Sequence, residues 1–378
     1  MELLPLLGGA VTAAVLSAAL ASAIYLFLAR AKPPETQRQR ALVAELEQSL
    51  QELRSAIADL YERNAGQPSV TVEALVQRAG TERLDRLQAA MELRTQHRER
   101  DAIYQLQAAF EPELHSSERA ELEILVGAGF LNLSELEEAE GYYRQALDHA
   151  IEAGEKQTQA AALGSLGIVY AQRGELAKAE EHHKKALAID EQIGNRLGQA
   201  NDLGNLGLVY RQRGELDKAE EHHKKALAID EQIGNRLGQA HDLGNLGNLY
   251  FARGELDKAE ELYKQALAIH QEIGNRLSEA KDLGNLGFVY AARGQPEAAE
   301  EYLRMALAIQ QEIGDRLGEA IQLEELGVVY AQRRDPAHAL EHLRRARDIF
   351  AEIGASRQLD RVDRLIAWLE PPERPKAP

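Results

Sequence analysis

A chain of 378 residues with 28% charged side chains, only 5% aromatics and a formal net charge of −17 has the composition of long helices rather than of ordinary mixed globules. The absence of cysteine excludes disulfides, thiolate nucleophiles, thiolate-bound zinc and a lipid-modified cysteine anchor. The acidity argues against nucleic acid as a partner, because phosphate binding needs a basic stripe; it reads either as a solubilising surface or as an acidic docking face.

Leu3 to Ala29 carries no charge. A helix over this stretch would be about 40 Å long, more than the ~30 Å hydrocarbon core of a bilayer. Glu2 precedes it, and Arg30, Lys32, Arg38 and Arg40 follow it. A cleaved signal peptide would have a shorter apolar core behind a basic start. The reading is therefore an uncleaved transmembrane anchor over 1–32, in a plasma or inner membrane. The positive charge after the span places the C-terminal bulk in the cytoplasm. Gly9, Ala13, Ser17 and Ala21 recur every four residues, a small-residue face that permits close helix–helix approach.

Pro33 and Pro34 interrupt the chain. Then Val43, Leu46, Leu50, Leu53, Ile57 and Leu60 alternate at spacings of three and four. That is a heptad seam with leucine at every d position, so 33–66 reads as a coiled-coil-like helix able to form a homodimer. The alternative is an amphipathic helix folded back on its own chain. Residues 67–119 read as a connector of two or three helices with no assignable function.

From residue 120 the sequence repeats every 40 residues, with units beginning at Ala120, Ala160, Ala200, Ala240, Ala280 and Ala320, and the segments 178–200 and 218–240 are identical. A period of this size marks stacked helical hairpins. In the unit 200–239, Leu203, Leu206 and Tyr210 share one face of a first helix, which Gly214 ends. Leu216, Ala219, His223, Ala226, Leu227, Ile229 and Ile233 stripe a second helix, which Gly234 ends. Ala200, Gly204 and Gly207 line one side of the first helix. Two helical glycines cost roughly 1 kcal/mol each against alanine, so a close helix–helix approach is expected to offset them. Leu359, Val362, Leu365, Ile366 and Leu369 form the stripe of a capping helix that ends at Pro371 and Pro372, with Trp368 packed beneath it.

The order Leu206-Gly207, Tyr210, Gly214, Ala219, Ala226 resembles the tetratricopeptide repeat consensus. It recurs as Leu166-Gly167, Tyr170, Gly174, Ala179, Ala186, as Leu246-Gly247, Tyr250, Gly254, Ala259, Ala266, and as Leu286-Gly287, Tyr290, Gly294, Ala299, Ala306. The last unit keeps Leu326-Gly327, Tyr330, Ala339 and Ala346, and the first keeps Gly127, Ala139 and Ala146, with Phe130 in place of the tyrosine. The 40-residue length is similar to the subclass of kinesin light chains and Leu-Gly-Asn repeat proteins. The resemblance implies an all-α, right-handed superhelical solenoid of six hairpins over 120–359, with a cap and tail over 360–378.

It also implies a concave groove lined by first helices, in which asparagines grip the backbone of an extended peptide. Those places hold Ser165, Asn205, Asn245, Asn285 and Glu325, with Asn248, Asn201, His241, Lys281, Arg211 and Phe251 around them. An amide donates and accepts at once, so a row of asparagines would read backbone rather than side chains. The bland alternative is that these amides are solvated or cap local backbone. The family's lysine clamp for carboxylates is not reproduced, since Gly204 and Gly244 occupy the lysine place.

His182-His183 and His222-His223 invite a metal, but adjacent helical residues diverge by about 100° and chelate poorly. His183 and His223 also take a packing place held by Tyr143 and Tyr263. No catalytic set, cofactor or metal is assigned. The expected function is a membrane-anchored protein–protein interaction scaffold. The alternatives are a peptide-responsive signalling regulator or an accessory subunit of an envelope-assembly enzyme.

Overall fold

The computed structural model describes residues 81–95, 98–110 and 114–370. The uncharged stretch 3–29, the heptad seam Val43–Leu60 and the tail from Pro371 lie outside them. Among the described residues no helix is long and apolar enough to cross a membrane.

The described chain is all-α and divides into two compact units. The first, ending at Arg213, holds α1 (Thr81–Thr95), α2 (Glu99–Ala108), α3 (Ser116–Asn132), α4 (Leu136–Ala153), α5 (Lys156–Gln172), α6 (Leu176–Ile193) and α7 (Arg196–Gln212). The second begins at Gly214. It holds α8 (Leu216–Ile233), α9 (Arg236–Ala252), α10 (Leu256–Glu272), α11 (Arg276–Ala292), α12 (Pro296–Ile313), α13 (Arg316–Gln332), α14 (Pro336–Glu352) and α15 (Ser356–Leu369). Within each unit, consecutive helices pack as antiparallel hairpins, as a repeating short-loop helical sequence requires.

The turns inside the hairpins need a left-handed residue. Glycine supplies it at Gly174 and Gly254, whereas Ser134 and Arg334 adopt the same conformation at φ 59° and 60° in the first and last repeats. A side chain tolerates this region only at a cost of about 1 kcal/mol, so the turn geometry overrides local preference at the ends of the array.

The joints between hairpins explain the IGNRLGQA segment. Gly194 closes α6 at φ 73°, and the Asn195 side chain caps α7 by accepting from the Gly198 N–H. The Asn195 amide donates to Asp190 Oδ1 at 2.9 Å, and the Gln199 amide donates to the Asp190 carbonyl at 3.0 Å. Gly234, Asn235, Asp230 and Gln239 repeat the arrangement in the second unit. Each joint thus satisfies helix-end groups that would otherwise be orphaned.

The glycines of the Leu-Gly pairs at Gly167, Gly247, Gly287 and Gly327 give the close approach expected of them. A Cβ on Gly167 would lie 2.6 Å from Nε2 of His183, and one on Gly247 would lie 2.7 Å from the Tyr263 ring. Gly127 faces Tyr143, while Gly287 and Gly327 face Leu303 and Leu343. A missing methyl on one helix therefore seats a large side chain of its hairpin partner.

The connector helices α1 and α2 pack on α3 through Leu87, Ile103 and Leu106 against Leu122 and Leu125, so they extend the core of the first unit. At the other end, Val362 and Ile366 of α15 close the core of Leu326, Leu343 and Phe350. Trp368 corrects the sequence expectation: it is 75% exposed rather than packed under the cap. It follows Ile366 by two residues, about 200° around the helix, and so points off the apolar stripe.

Candidate peptide-binding surface

What holds the first helices in register is a repeated clamp. The Tyr210 hydroxyl donates to Glu180 Oε1 at 2.7 Å, Arg213 pairs with the other oxygen, and Lys184 reaches the same carboxylate at 2.6 Å. In the second unit Tyr250, Arg253 and Lys224 close on Glu220, and Tyr290, Arg293 and Lys264 close on Glu260. Burial alone would raise these carboxyls, but the hydrogen bonds from lysine, tyrosine and arginine outweigh it and hold each pKa down to about 2. The recurring tyrosine of the repeat is therefore one arm of an ionic clamp between the second helix of one repeat and the first helix of the next.

Because these carboxyls are depressed, the stability they give is present above about pH 4.5 and is lost as pH falls through about 2. Glu220→Gln keeps the shape and removes the charge. It is expected to lower stability at neutral pH by about 1–2 kcal/mol and to flatten the acid limb of a thermal-melting profile.

With the first helices fixed, each unit presents its own polar face. On α7, Asn201 is exposed and Asn205 half-buried, with Arg211 half-buried one to two turns on. In the second unit, Asn245 and Asn248 are half-buried on α9 and Asn285 holds the same place on α11, beside exposed Lys281. The amides of Asn205, Asn245 and Asn285 enter no hydrogen bond with other described residues, so they do not cap local backbone. Asn248 differs, for its Oδ1 accepts from the Tyr263 hydroxyl at 2.8 Å.

Three of the expected places carry other chemistry. Ser165 is 3% exposed and lies beside buried Tyr143, so it belongs to the core rather than to a surface. Phe251 packs against the cluster of Tyr250, Ala259 and Tyr263. His241 stacks on buried His270 with ring centroids 5.8 Å apart. Burial first, then the neighbouring His270 and Lys281, lowers its pKa to about 4, which keeps its ring neutral at physiological pH. At the end of the row, burial and the adjacent Glu324 push the half-buried Glu325 up to about 7, although Arg361 of α15 opposes them.

His183 and His223 are buried, and their Nδ1 atoms lie 3.0 and 2.9 Å from carboxylates of Asp202 and Asp242. They are packing and hydrogen-bonding residues. Among the described residues no group of three His, Asp or Glu side chains is arranged to hold a metal. A small apolar cavity of about 230 Å³ lies between α13 and α15, lined by Val328, Ala331, Leu343, Leu365 and Trp368.

Among curated proteins none matches the sequence. Solved structures similar to this chain include a signal transduction ATPase with numerous domains that carries a tetratricopeptide repeat sensor, from Pyrococcus horikoshii. It is 17% identical, with a TM-score of 0.62 over 92% of this chain and 55% of that one, so this chain spans about half of its length. A Rap protein in complex with competence and sporulation factor is 15% identical, with a TM-score of 0.56 over 94% of this chain and 100% of that one. Kinesin light chain repeats of Podosopora anserina are 23% identical over 51% of this chain and 95% of that one, at a TM-score of 0.44. The tetratricopeptide repeat profile matches residues 118–192, 196–272 and 278–352, more than half of the sequence. On those matches, and on the hairpins, glycine seats and tyrosine places described above, the chain belongs to the tetratricopeptide repeat family.

Proposed function

We propose that this protein is an interaction scaffold held at a membrane by residues 3–29, and that its repeats bind an extended segment of a protein partner along the first-helix faces. Repeats of this kind are typically non-catalytic and bind proteins or peptides. The observation that carries the proposal is the pair Asn245 and Asn285. They occupy the same helical place in consecutive hairpins of one unit, partly exposed and without partners among the described residues. Each can donate to a carbonyl and accept from an N–H of a strand-like segment, a recognition that is blind to partner side chains. Lys281 beside them adds a cation to an otherwise acidic protein. The Rap protein of similar fold is in complex with competence and sporulation factor, which supports the architecture as one able to hold a bound factor.

Affinity capture of the intact protein from solubilised membranes tests this reading. A partner retained by the native chain and lost from the Asn245→Ala, Asn285→Ala variant supports it; equal retention removes the asparagines from the binding surface.

The anchor has its own test. With basic residues only after the uncharged stretch, alkaline phosphatase fused at Pro378 is expected to be inactive in bacteria, because it would stay in the cytoplasm. Strong activity would place the repeats on the other side of the membrane.

A further inference from the structure

The same two buried places recur at every joint, one on the second helix of a repeat and one on the first helix of the next. At the ends of the array they are apolar: Ala150 with Ala162, and Phe350 with Val362. Near the C-terminal end they are neutral amides, Gln310 with Gln322. In the middle they are acidic or basic side chains: Asp190 with Asp202, Asp230 with Asp242, and His270 with Asp282, every one of them at most 5% exposed. The fold therefore accepts uncharged pairs at these places, and the central joints hold acidic and basic side chains that packing does not require.

In the first unit the cluster is drawn from two adjacent helices. From α6 come His183 and Asp190, and from α7 comes Asp202, bonded to His183 at 3.0 Å. Gly164 and Gly167 of helix α5 face it, where a Cβ would crowd Asp202 and His183. The Asn195 amide is the hydrogen-bond partner of the Asp190 carboxyl, and the charge acting on Asp190 is that of Asp202. The charge acting on Asp202 is that of His183. Two buried carboxylates with a single imidazole, bonded to Asp202, leave an uncompensated buried charge unless a proton stays on the cluster.

The second unit holds one pair of the same kind and one with the histidine at the Asp190 place. His223 of α8 lies 2.9 Å from Asp242 of α9, and His270 of α10 lies 2.6 Å from Asp282 of α11. His241 stacks on His270, and Lys281 is the charged neighbour of both His241 and Asp282.

We propose that these buried carboxylate–imidazole clusters form a proton-operated latch between consecutive repeats, binding protons and tightening the stack on mild acidification and releasing them to loosen it as pH rises. Burial first, then the Asp202 charge, pushes Asp190 up to about 6, with the Asn195 amide opposing. Burial pushes Asp242 up to about 8. Each carboxyl holds its proton in the folded protein above the 3.8 of a free aspartic acid. Its contribution to stability is thus complete below that pH, and is lost as pH rises through about 6 for Asp190 and about 8 for Asp242. The ionic clamps on Glu180, Glu220 and Glu260 do not act in this window, since they discharge only at much lower pH.

The protein itself contains the control. His183→Leu, Asp190→Gln and Asp202→Gln together copy Leu303, Gln310 and Gln322, the residues that fill the corresponding places in an uncharged joint. Thermal unfolding of the full chain in detergent is compared at about pH 5.5 and about pH 7.5. The native protein is expected to melt several degrees higher at the lower pH, and the copied-joint variant is expected to lose a measurable share of that difference while the second-unit clusters retain theirs. Asp190→Asn, which keeps the size of the side chain, is expected to do the same on a smaller scale and decides the matter if the triple variant does not fold. A native protein that melts no higher at about pH 5.5, or a folded variant with an undiminished pH difference, overturns the latch.

Discussion

Gly167→Val is expected to destabilise the protein by about 2–3 kcal/mol, whereas Gly141→Ala is expected to stabilise it by about 1 kcal/mol. Both glycines sit inside helices of the first unit, and helix propensity alone would have either substitution help. Their surroundings decide the sign. A Cβ at Gly141 meets nothing within 4 Å and gains the propensity. At Gly167 it would meet three atoms of the His183 ring at 2.6–2.8 Å. That ring cannot swing aside without breaking its bond to buried Asp202. Two further branches of valine would force the α5–α6 hairpin apart. Chemical denaturation of the two variants checks this. A Gly167→Val protein as stable as the native one would mean that the Leu-Gly seat is not a close approach at all.

That seat was legible in the sequence, and so was most of the hairpin architecture. Glycines recurring inside an otherwise good helix at Gly167, Gly247 and Gly287 have few explanations besides packing, and the apolar stripes of Leu206 and Tyr210 or Ala219 and Ala226 follow the 3.6-residue period directly. The clamp was not legible in the same way. Glu180 and Glu220 sit in Ala-Glu-Glu runs that read as a solvated helix face, and their partners Tyr210 and Tyr250 lie 30 residues away in the chain. The signal existed only as a fixed offset: an acid, then a tyrosine 30 residues on and an arginine 33 on, from Glu140-Tyr170-Arg173 through Glu300-Tyr330-Arg333.

The joint escaped for a related reason. Asn195 and Gly198 carry no apolar stripe, and their role depends on the Asp190 carboxylate, which occupies the space a Cβ on Gly198 would take. Ser165 was placed on the binding face by alignment with Asn205, but a small hydroxyl beside Tyr143 turns inward where a larger amide stays out. Trp368 is expected beneath the cap, but its angular position on α15 puts it outside the stripe.

If the repeats bind an extended segment, the asparagine face carries the contact. Asn245 and Asn285 each offer an amide bond pair worth roughly 0.5–1.5 kcal/mol net, so the double alanine variant should weaken a captured partner by about ten-fold or more. Its fold should hold, because alanine is the better helix former and neither amide supports another described residue. The deciding measurement is therefore the partner's dissociation constant for native and Asn245→Ala, Asn285→Ala proteins, taken with their melting temperatures. The expected result is a ten-fold or greater loss of affinity with an unchanged or slightly higher melting temperature. Unchanged affinity would contradict the binding face, and an affinity loss that comes with a much lower melting temperature would make these asparagines structural instead.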